Sequence, residues 1–323
     1  MRGRRRRTNR VSGIVALIVT LVVGFAVLST AQERTGQDFG LPQLSLPSFG
    51  RLIGSTEGAP GGQVTPPSEG EVQVHFIDVG QGESILILAP EKTVLIDGGD
   101  NGQGGNVLRY LRTHGVSTVD IMIATHPHAD HIGGLIDVVQ QLEIGSVIMP
   151  ELPEQLVPTT RTYTNFLMAL LERDLSITPA APGDAYYLGG GAVLTILSPL
   201  REYSGMNDFS VVSRLEFGET SFLFTGDIEL AAEHDLAASG TVRSDVLNIA
   251  HHGSRTSTTQ IFLDAVSPSI AVIAVGLDNP HGHPRREVIQ RLEEKDIHIL
   301  RTDLDGSIVL TTDGNSISIV TER

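Results

Sequence analysis

Thr125-His126-Pro127-His128-Ala129-Asp130-His131 packs three imidazoles and a carboxylate into seven residues, directly after the apolar run Val119–Ala124. A short apolar, β-branched run reads as a buried strand, so the cluster stands at a strand end. Alternate residues of extended backbone share a side, which puts His126 and His128 together. A turn into a helix at Ile132-Gly133-Gly134 then brings Asp130 and His131 back towards the same cavity. Two groups of ligands arranged this way can hold two divalent ions. Imidazole and carboxylate suit zinc, manganese or iron, and ions about 3.5–4 Å apart can bridge a hydroxide and clamp a phosphoryl group. The chain has no Cys, so thiolate ligands and disulfides are excluded. Reading the cluster as ordinary loop residues would leave its density unexplained.

Outward from the cluster, strand runs alternate with amphipathic helical stretches. Val72–Val79, Ser84–Leu88 and Thr93–Ile96 read as strands joined by the turns Gly80-Gln81-Gly82 and Ala89-Pro90-Glu91-Lys92. Helical spacing of Val107, Leu108 and Leu111 predicts a helix over Asn106–His114 that stops at Gly115. Further helices are expected at Gly133–Leu142, Tyr163–Arg173, Leu230–Ser239, Thr258–Val266 and Arg285–Lys295. Further strands are expected at Val147–Met149, Val193–Leu197, Ser210–Phe217, Ser221–Phe224, Val246–Ala250, Ile270–Val275, Ile297–Leu300, Ser307–Thr311 and Ser316–Val320. Hairpins mixed with strand–helix units imply an α/β fold of sheets covered by helices, forming one domain over residues 71–323.

The N-terminal end has a different character. Six arginines at positions 2, 4, 5, 6, 7 and 10 precede an apolar run from Val11 to about Ala31. The run is near the roughly 20 residues that span a membrane and longer than a typical signal-peptide core, which favours an uncleaved anchor. Ser29-Thr30-Ala31 before Gln32 also fits a cleaved signal. Under either alternative the arginines hold their end in the cytoplasm and the rest is exported. Residues 32–70, rich in Gly, Pro, Ser, Thr and Gln without periodicity, read as a flexible stalk.

Residues 71–323 carry 15 basic against 34 acidic side chains. Non-specific nucleic-acid binding relies on a basic face, so this balance argues against a broad DNA footprint. Local capture at a metal site remains open, because bound cations can dominate the local field.

The His-x-His-x-Asp-His motif resembles that of the metallo-β-lactamase superfamily, whose fold is an αββα four-layer sandwich. Its further motifs have counterparts in order. Leu95-Ile96-Asp97-Gly98-Gly99 resembles the strand end whose aspartate supports the site, Thr225-Gly226-Asp227 the carboxylate that bridges two metals, and Ala250-His251-His252-Gly253-Ser254 the late histidine ligand. Over residues 72–312 the chain is similar to the C-terminal hydrolase domain of the competence protein ComEC and its free-standing relatives. The phrases that carry this likeness are Phe76-Ile77-Asp78-Val79-Gly80-Gln81-Gly82-Glu83-Ser84, Asn207-Asp208-Phe209-Ser210, Leu223-Phe224-Thr225-Gly226-Asp227, His251-His252-Gly253-Ser254 and Gly282-His283-Pro284. Glu83 stands where the family usually has Asp, and His281 where an aromatic residue often precedes Gly-His-Pro.

The resemblance implies metal ligation by His126, His128, Asp130, His131, Asp227 and the His251-His252 pair. Neighbours on a strand end point opposite ways, which favours His252 as the direct ligand and leaves His251 beside it or against substrate. Where β-lactamases and glyoxalases have a Gly-His-Thr ligand turn, this chain has Ser198-Pro199-Leu200. The first metal position therefore lacks one imidazole, and Asn207 or Asp208 is a candidate to fill it. Asn207, Ser210, Ser254 and Gln81 are expected to contact substrate, with Gly253-Ser254 presenting an anion site at a helix start or Ser254 merely capping it. His283 is expected to touch phosphate or act as general acid. Asp97 and Asp78 are expected to orient ligands or cap turns. His75, His114, His234 and His298 read as surface or local packing residues.

The implied activity is a phosphodiesterase or nuclease acting outside the cytoplasm through a hydroxide shared by two zinc or manganese ions, with Asp130, Asp227 and His283 carrying the chemistry. Single-stranded DNA is a candidate substrate. The rivals are hydrolysis of carboxylic esters, lactones or β-lactams, and a non-catalytic surface module in DNA uptake.

Overall fold

The computed structural model describes residues 70–323; the arginine arm, the apolar run and the stalk lie outside the described residues. Fifteen strands fall in two sheets among them. The first sheet has β1 (Val72–Phe76), β2 (Ile85–Leu88), β3 (Thr93–Ile96), β4 (Thr118–Ile123), β5 (Glu143–Met149), β6 (Ile177–Pro179), β14 (Ile308–Thr312) and β15 (Ile317–Thr321), in the order β15-β14-β1-β2-β3-β4-β5-β6. The second runs β13-β12-β11-β10-β9-β8-β7, from β13 (His298–Arg301) through β12 (Ile270–Ile273), β11 (Val246–Asn248), β10 (Thr220–Phe224), β9 (Val212–Phe217) and β8 (Ala192–Ser198) to β7 (Ala185–Gly189).

Apolar alternation along these strands explains the layering. Val74, Phe76, Ile85 and Ile96 of the first sheet share a fully buried cluster with Leu194, Leu215, Phe222 and Phe224 of the second, so the two sheets meet face to face. Opposite faces of the same strands are also apolar. Leu86, Leu95 and Met122 pack with residues of α1 (Gly104–Thr113), the short α2 (Ala129–Ile132), α3 (Leu135–Gln141) and α4 (Arg161–Glu172). Leu223, Leu247 and Ile273 pack with α5 (Leu230–Ser239), α6 (Gln260–Val266) and α7 (Arg286–Glu293), upstream of the short α8 (Thr302–Asp305). This mixed α/β structure with two sheets is consistent with the sandwich expected above. Burying each large aliphatic side chain contributes about 1.5–3 kcal/mol, so strands apolar on both faces are committed to the interior.

Strand direction places the chemistry. In the first sheet β3, β4 and β5 are mutually parallel, and in the second β10, β11, β12 and β13 are. Loops at the carboxyl ends of parallel strands collect on one edge, where ligands bind open α/β sheets. Asp97 follows β3, the histidine cluster β4, Asp227 β10, His251 and His252 β11, and His283 β12.

Several expected elements shift. β6 and β7, missed in the sequence, are an edge strand of three half-buried residues and a largely exposed strand running into Gly189; neither offers a strong apolar period. The strand expected to continue to Ala250 ends at Asn248, because Ala250–Gly253 forms a tight turn. Helix α6 opens at Gln260 with Thr259 as its cap, the Thr259 hydroxyl accepting from Phe262 N–H. No helix among the described residues is long and apolar enough to cross a membrane.

Candidate metal centre

Asp97, in a left-handed conformation (φ +57°) just past β3, is the pivot behind the centre. Its carboxylate accepts from the backbone N–H and hydroxyl of Thr125 on the neighbouring parallel strand end (2.8 and 2.6 Å) and lies 2.6 Å from His131 Nδ1. A carboxylate on Nδ1 fixes the ring and leaves Nε2 free for an ion. His252 is set in the same way by a different acceptor, its Nδ1 donating to the carbonyl of Ala274 at 2.8 Å. His131 Nε2, His252 Nε2 and Asp227 Oδ1 are all buried without hydrogen-bond partners. Buried polar atoms are normally satisfied, so this convergence of orphaned nitrogens and a carboxylate oxygen fits a bound cation.

Asp227 stands between two donor sets. Its Oδ1 is 3.3 Å from His131 Nε2 and 3.7 Å from His252 Nε2, while Asp130 Oδ2 lies 3.4 Å from that same His252 nitrogen. Its Oδ2 is 3.7 Å from His126 Nε2, and His128 Nδ1 is 2.9 Å from that atom. The potential ligand atoms of Asp130, His131 and His252 lie within 4.8 Å of one another, as do those of His126, His128 and Asp227. Two groups of candidate ligands thereby meet at one carboxylate. Burial alone would lower the pKa of His131, but Asp227, Asp97 and Asp130 outweigh it and hold the ring well above the usual histidine range. Burial would likewise raise Asp227, yet the charges of His131 and His252 hold it well below the usual carboxylate range.

The late histidine pair does not alternate as strand residues would. His251 and His252 are both left-handed (φ +53° and +54°) in the turn after β11, each at a cost of about 1–2 kcal/mol. Two successive left-handed residues turn both rings towards Asp227, His252 to its Oδ1 and His251 to its Oδ2. His252 stands with Asp130 and His131. His251 Nε2 lies 3.7 Å from Asp227 Oδ2, on the His126 side. Gly253 completes the turn at φ +80°, where a methyl group would press on Pro284 of the Gly-His-Pro loop.

Other expected contacts need correction. Ser210 is fully buried; its hydroxyl donates to the Asn207 carbonyl (2.7 Å) and accepts from Asp227 N–H (3.1 Å), so it braces the turn carrying Asp227 instead of facing substrate. Asp208 accepts from Glu229 and Ala232 N–H and caps α5, which leaves its carboxylate committed away from the metal positions. Asn207 reaches Glu229 Oε1 at 3.5 Å, not an imidazole cluster or the cavity. Ser254 is nearly buried, with its hydroxyl 2.9 Å from that of Thr256. The next helix, α6, opens six residues later under its own cap, Thr259, so Ser254 neither caps a helix nor stands at a helix start that could hold an anion. Asp78 accepts from Gly80 N–H and pairs with Arg323 at 2.9 Å, away from the centre, as a turn cap. His75 packs against Tyr110 and His114.

A cavity of about 450 Å³ opens over the centre, bordered by His128, Asp130, Asp227, His251, His281 and His283. Gln81 lines it too, its side-chain oxygen accepting from Gly276 N–H at 3.3 Å. The His283 backbone is clasped on both sides by the Asn279 side chain, and its ring centroid is 5.8 Å from that of His251. Burial, then the neighbouring imidazoles of His251, His252 and His281, lower the His283 pKa to about 4. It stands neutral at pH 7, a hydrogen-bond donor and not a charged acid.

Two functional neighbours were missed in the sequence. Glu83, the residue departing from the family phrase, is buried behind His131; its Oε2 accepts from Asn248 at 2.9 Å and Oε1 has no partner. Desolvation raises its pKa to about 7 against the pull of His131. Glu229 sits two residues past Asp227, beside His251. Only that spacing hinted at it.

Because Asp97 fixes His131 through Nδ1, Asp97→Asn is expected to weaken metal affinity about 10–100-fold. Chelator competition measures it, and wild-type affinity would remove Asp97 from the centre.

A family model described as the Metallo-beta-lactamase superfamily matches residues 77–276. "ComE operon protein 3" of Bacillus subtilis (strain 168) is 31% identical over 261 residues, covering 75% of this chain and 33% of that protein. "Recombination protein 2" of Haemophilus influenzae is 30% identical over 244 residues, covering 73% and 28%. "Competence protein ComA" of Neisseria gonorrhoeae is 31% identical over 245 residues, covering 74% and 32%. The chain thus spans about a third of the length of these curated relatives.

Proposed function

The chain belongs to the metallo-beta-lactamase superfamily, and from that premise we propose that it is a metal-dependent phosphodiesterase whose substrate class includes single-stranded DNA, acting outside the cytoplasm on a membrane anchor formed by residues 11–31. The observation that carries this reading is the two-sided Asp227 carboxylate beneath a cavity rimmed by His251, His281 and His283. Imidazole N–H groups around an opening suit an anionic phosphoryl group better than an uncharged lactam ring. The competence and recombination names of the relatives favour DNA.

When bound, two divalent ions, zinc or manganese, supply Lewis-acid polarisation of a phosphoryl oxygen and acidification of water. The chain's own residues do the rest. Asp97 and the Ala274 carbonyl hold His131 and His252 in the tautomer that presents Nε2 inward. Ser210 fixes the Asp227 backbone so that its two oxygens face opposite donor sets. His283, anchored by Asn279, offers an N–H to a phosphate oxygen from the cavity wall. An anionic substrate beside it raises its pKa, which lets it pass a proton to the leaving oxygen.

Full-length protein in mild detergent, loaded with zinc or manganese, should cleave an activated phosphodiester and single-stranded DNA, with Asp130→Ala as blank. Inertness with metal occupancy confirmed, or nitrocefin or lactone turnover matching the best phosphodiester, rejects this reading.

A further inference from the structure

The geometry points to His251 as the third imidazole of the first metal position, oriented by Glu229, in place of the histidine that the Ser198-Pro199-Leu200 turn does not provide. It rests on the two-ion centre and not on the identity of the substrate.

Four imidazoles surround Asp227, and they divide by carboxylate oxygen. His131 and His252 face Oδ1; His126 and His251 face Oδ2, each with Nε2 3.7 Å away. Ligand atoms about 2.0–2.1 Å from a tetrahedral ion lie roughly 3.3 Å apart. Both nitrogens on the Oδ2 side are therefore within a few tenths of an ångström of ligand spacing from that oxygen. With His128 beside His126, two imidazoles and the shared carboxylate oxygen stand within 4.8 Å of one another, and His251 approaches the same oxygen as a third imidazole without yet joining that close group.

A histidine that ligates a metal through Nε2 characteristically meets a carboxylate or carbonyl at Nδ1. His131 has Asp97, His252 has the Ala274 carbonyl, and His251 has Glu229, whose Oε1 lies 3.2 Å from its Nδ1. That contact is an ion-pair approach off the line of a straight hydrogen bond, and His251 Nδ1 has no other partner. Glu229 is itself held, accepting from the Thr256 hydroxyl at 2.8 Å and lying 3.5 Å from Asn207 Nδ2. The Asn-Asp-x-Ser phrase thereby acquires a role other than substrate contact: Asn207 steadies the carboxylate that steadies the imidazole.

The test measures metal, not turnover. Full-length wild type, His251→Ala and Glu229→Gln are loaded with Co(II) or zinc and followed by visible spectroscopy, elemental analysis and chelator competition. Wild type should hold two ions, and His251→Ala should lose one or bind it about 100-fold more weakly or worse, with a changed Co(II) ligand-field spectrum. Glu229→Gln, a half-exposed and conservative change, should weaken the same ion about 10-fold and decides the matter if His251→Ala does not fold. A wild type that retains one ion only, or two folded variants with unchanged affinity and spectrum, overturns the assignment. A protein that holds two ions in this pattern yet cleaves no phosphodiester would reject the proposed activity and leave the ligand assignment standing.

Discussion

Asp227→Ala should abolish the shared centre: the variant is expected to lose at least one bound ion and to cut phosphodiester hydrolysis about 10⁴-fold, equivalent to about 5.4 kcal/mol at 1.36 kcal/mol per tenfold. The reason is position. Among the described residues, Asp227 is the carboxylate whose two oxygens face separate imidazole groups, His126 and His251 on one side and His131 and His252 on the other. Removing it takes a ligand from both positions and the negative charge that holds them together. The backbone brace from Ser210 to Asp227 N–H survives the substitution, so the loss should fall on the centre and not on folding. Elemental analysis, steady-state kinetics and a thermal melt of the same preparation separate the outcomes. A variant with both ions and more than a tenth of wild-type activity would refute the bridging role.

Gly134→Ala should be the most damaging small substitution in the fold. Gly134 is the N-cap of α3 with an ordinary φ of −75°, a backbone conformation that alanine adopts without strain. Packing decides against it. A methyl group there would collide with the carbonyl oxygen of Gly98 and crowd Gly104 N. The obstacles are backbone atoms, so no side chain can swing aside. The two segments are also tied together, Gly98 N–H donating to His131 O (2.7 Å) and Gly134 N–H to Gly99 O (3.0 Å). Overpacking costs about 1–3 kcal/mol where neighbours can adjust. Against fixed backbone we expect the top of that range or beyond, a fall in Tm of about 6–12 °C at 2–4 °C per kcal/mol, together with loosened metal binding, because Asp97 lies next to the strained contact. A melt within 2 °C of wild type would show that the strand end and helix separate freely.

Particular residues mark how far local reading reaches. The helix Leu230–Ser239 and the strand Thr93–Ile96 were legible to the residue, because a run of good helix formers closed by Gly240 and a short apolar run between turns are local signals. The cluster from His126 to His131 was legible for the same reason: strand, turn and short helix put its ligands on one side within a few residues. Ser210 was misassigned because nothing local reveals that its hydroxyl is spent bracing Asp227 across 17 residues. Glu83 was passed over because its partner, Asn248, is 165 residues away.

The sequence by itself determined which candidate ligand side chains the chain offers, their order along it and the lack of thiolates among them, since composition and short-range spacing dictate these. Only the tertiary structure decided which oxygen of Asp227 each imidazole faces. That depends on two sheets meeting with their parallel strand ends on one edge, and on two consecutive left-handed histidines that reverse the alternation any strand-based reading assumes.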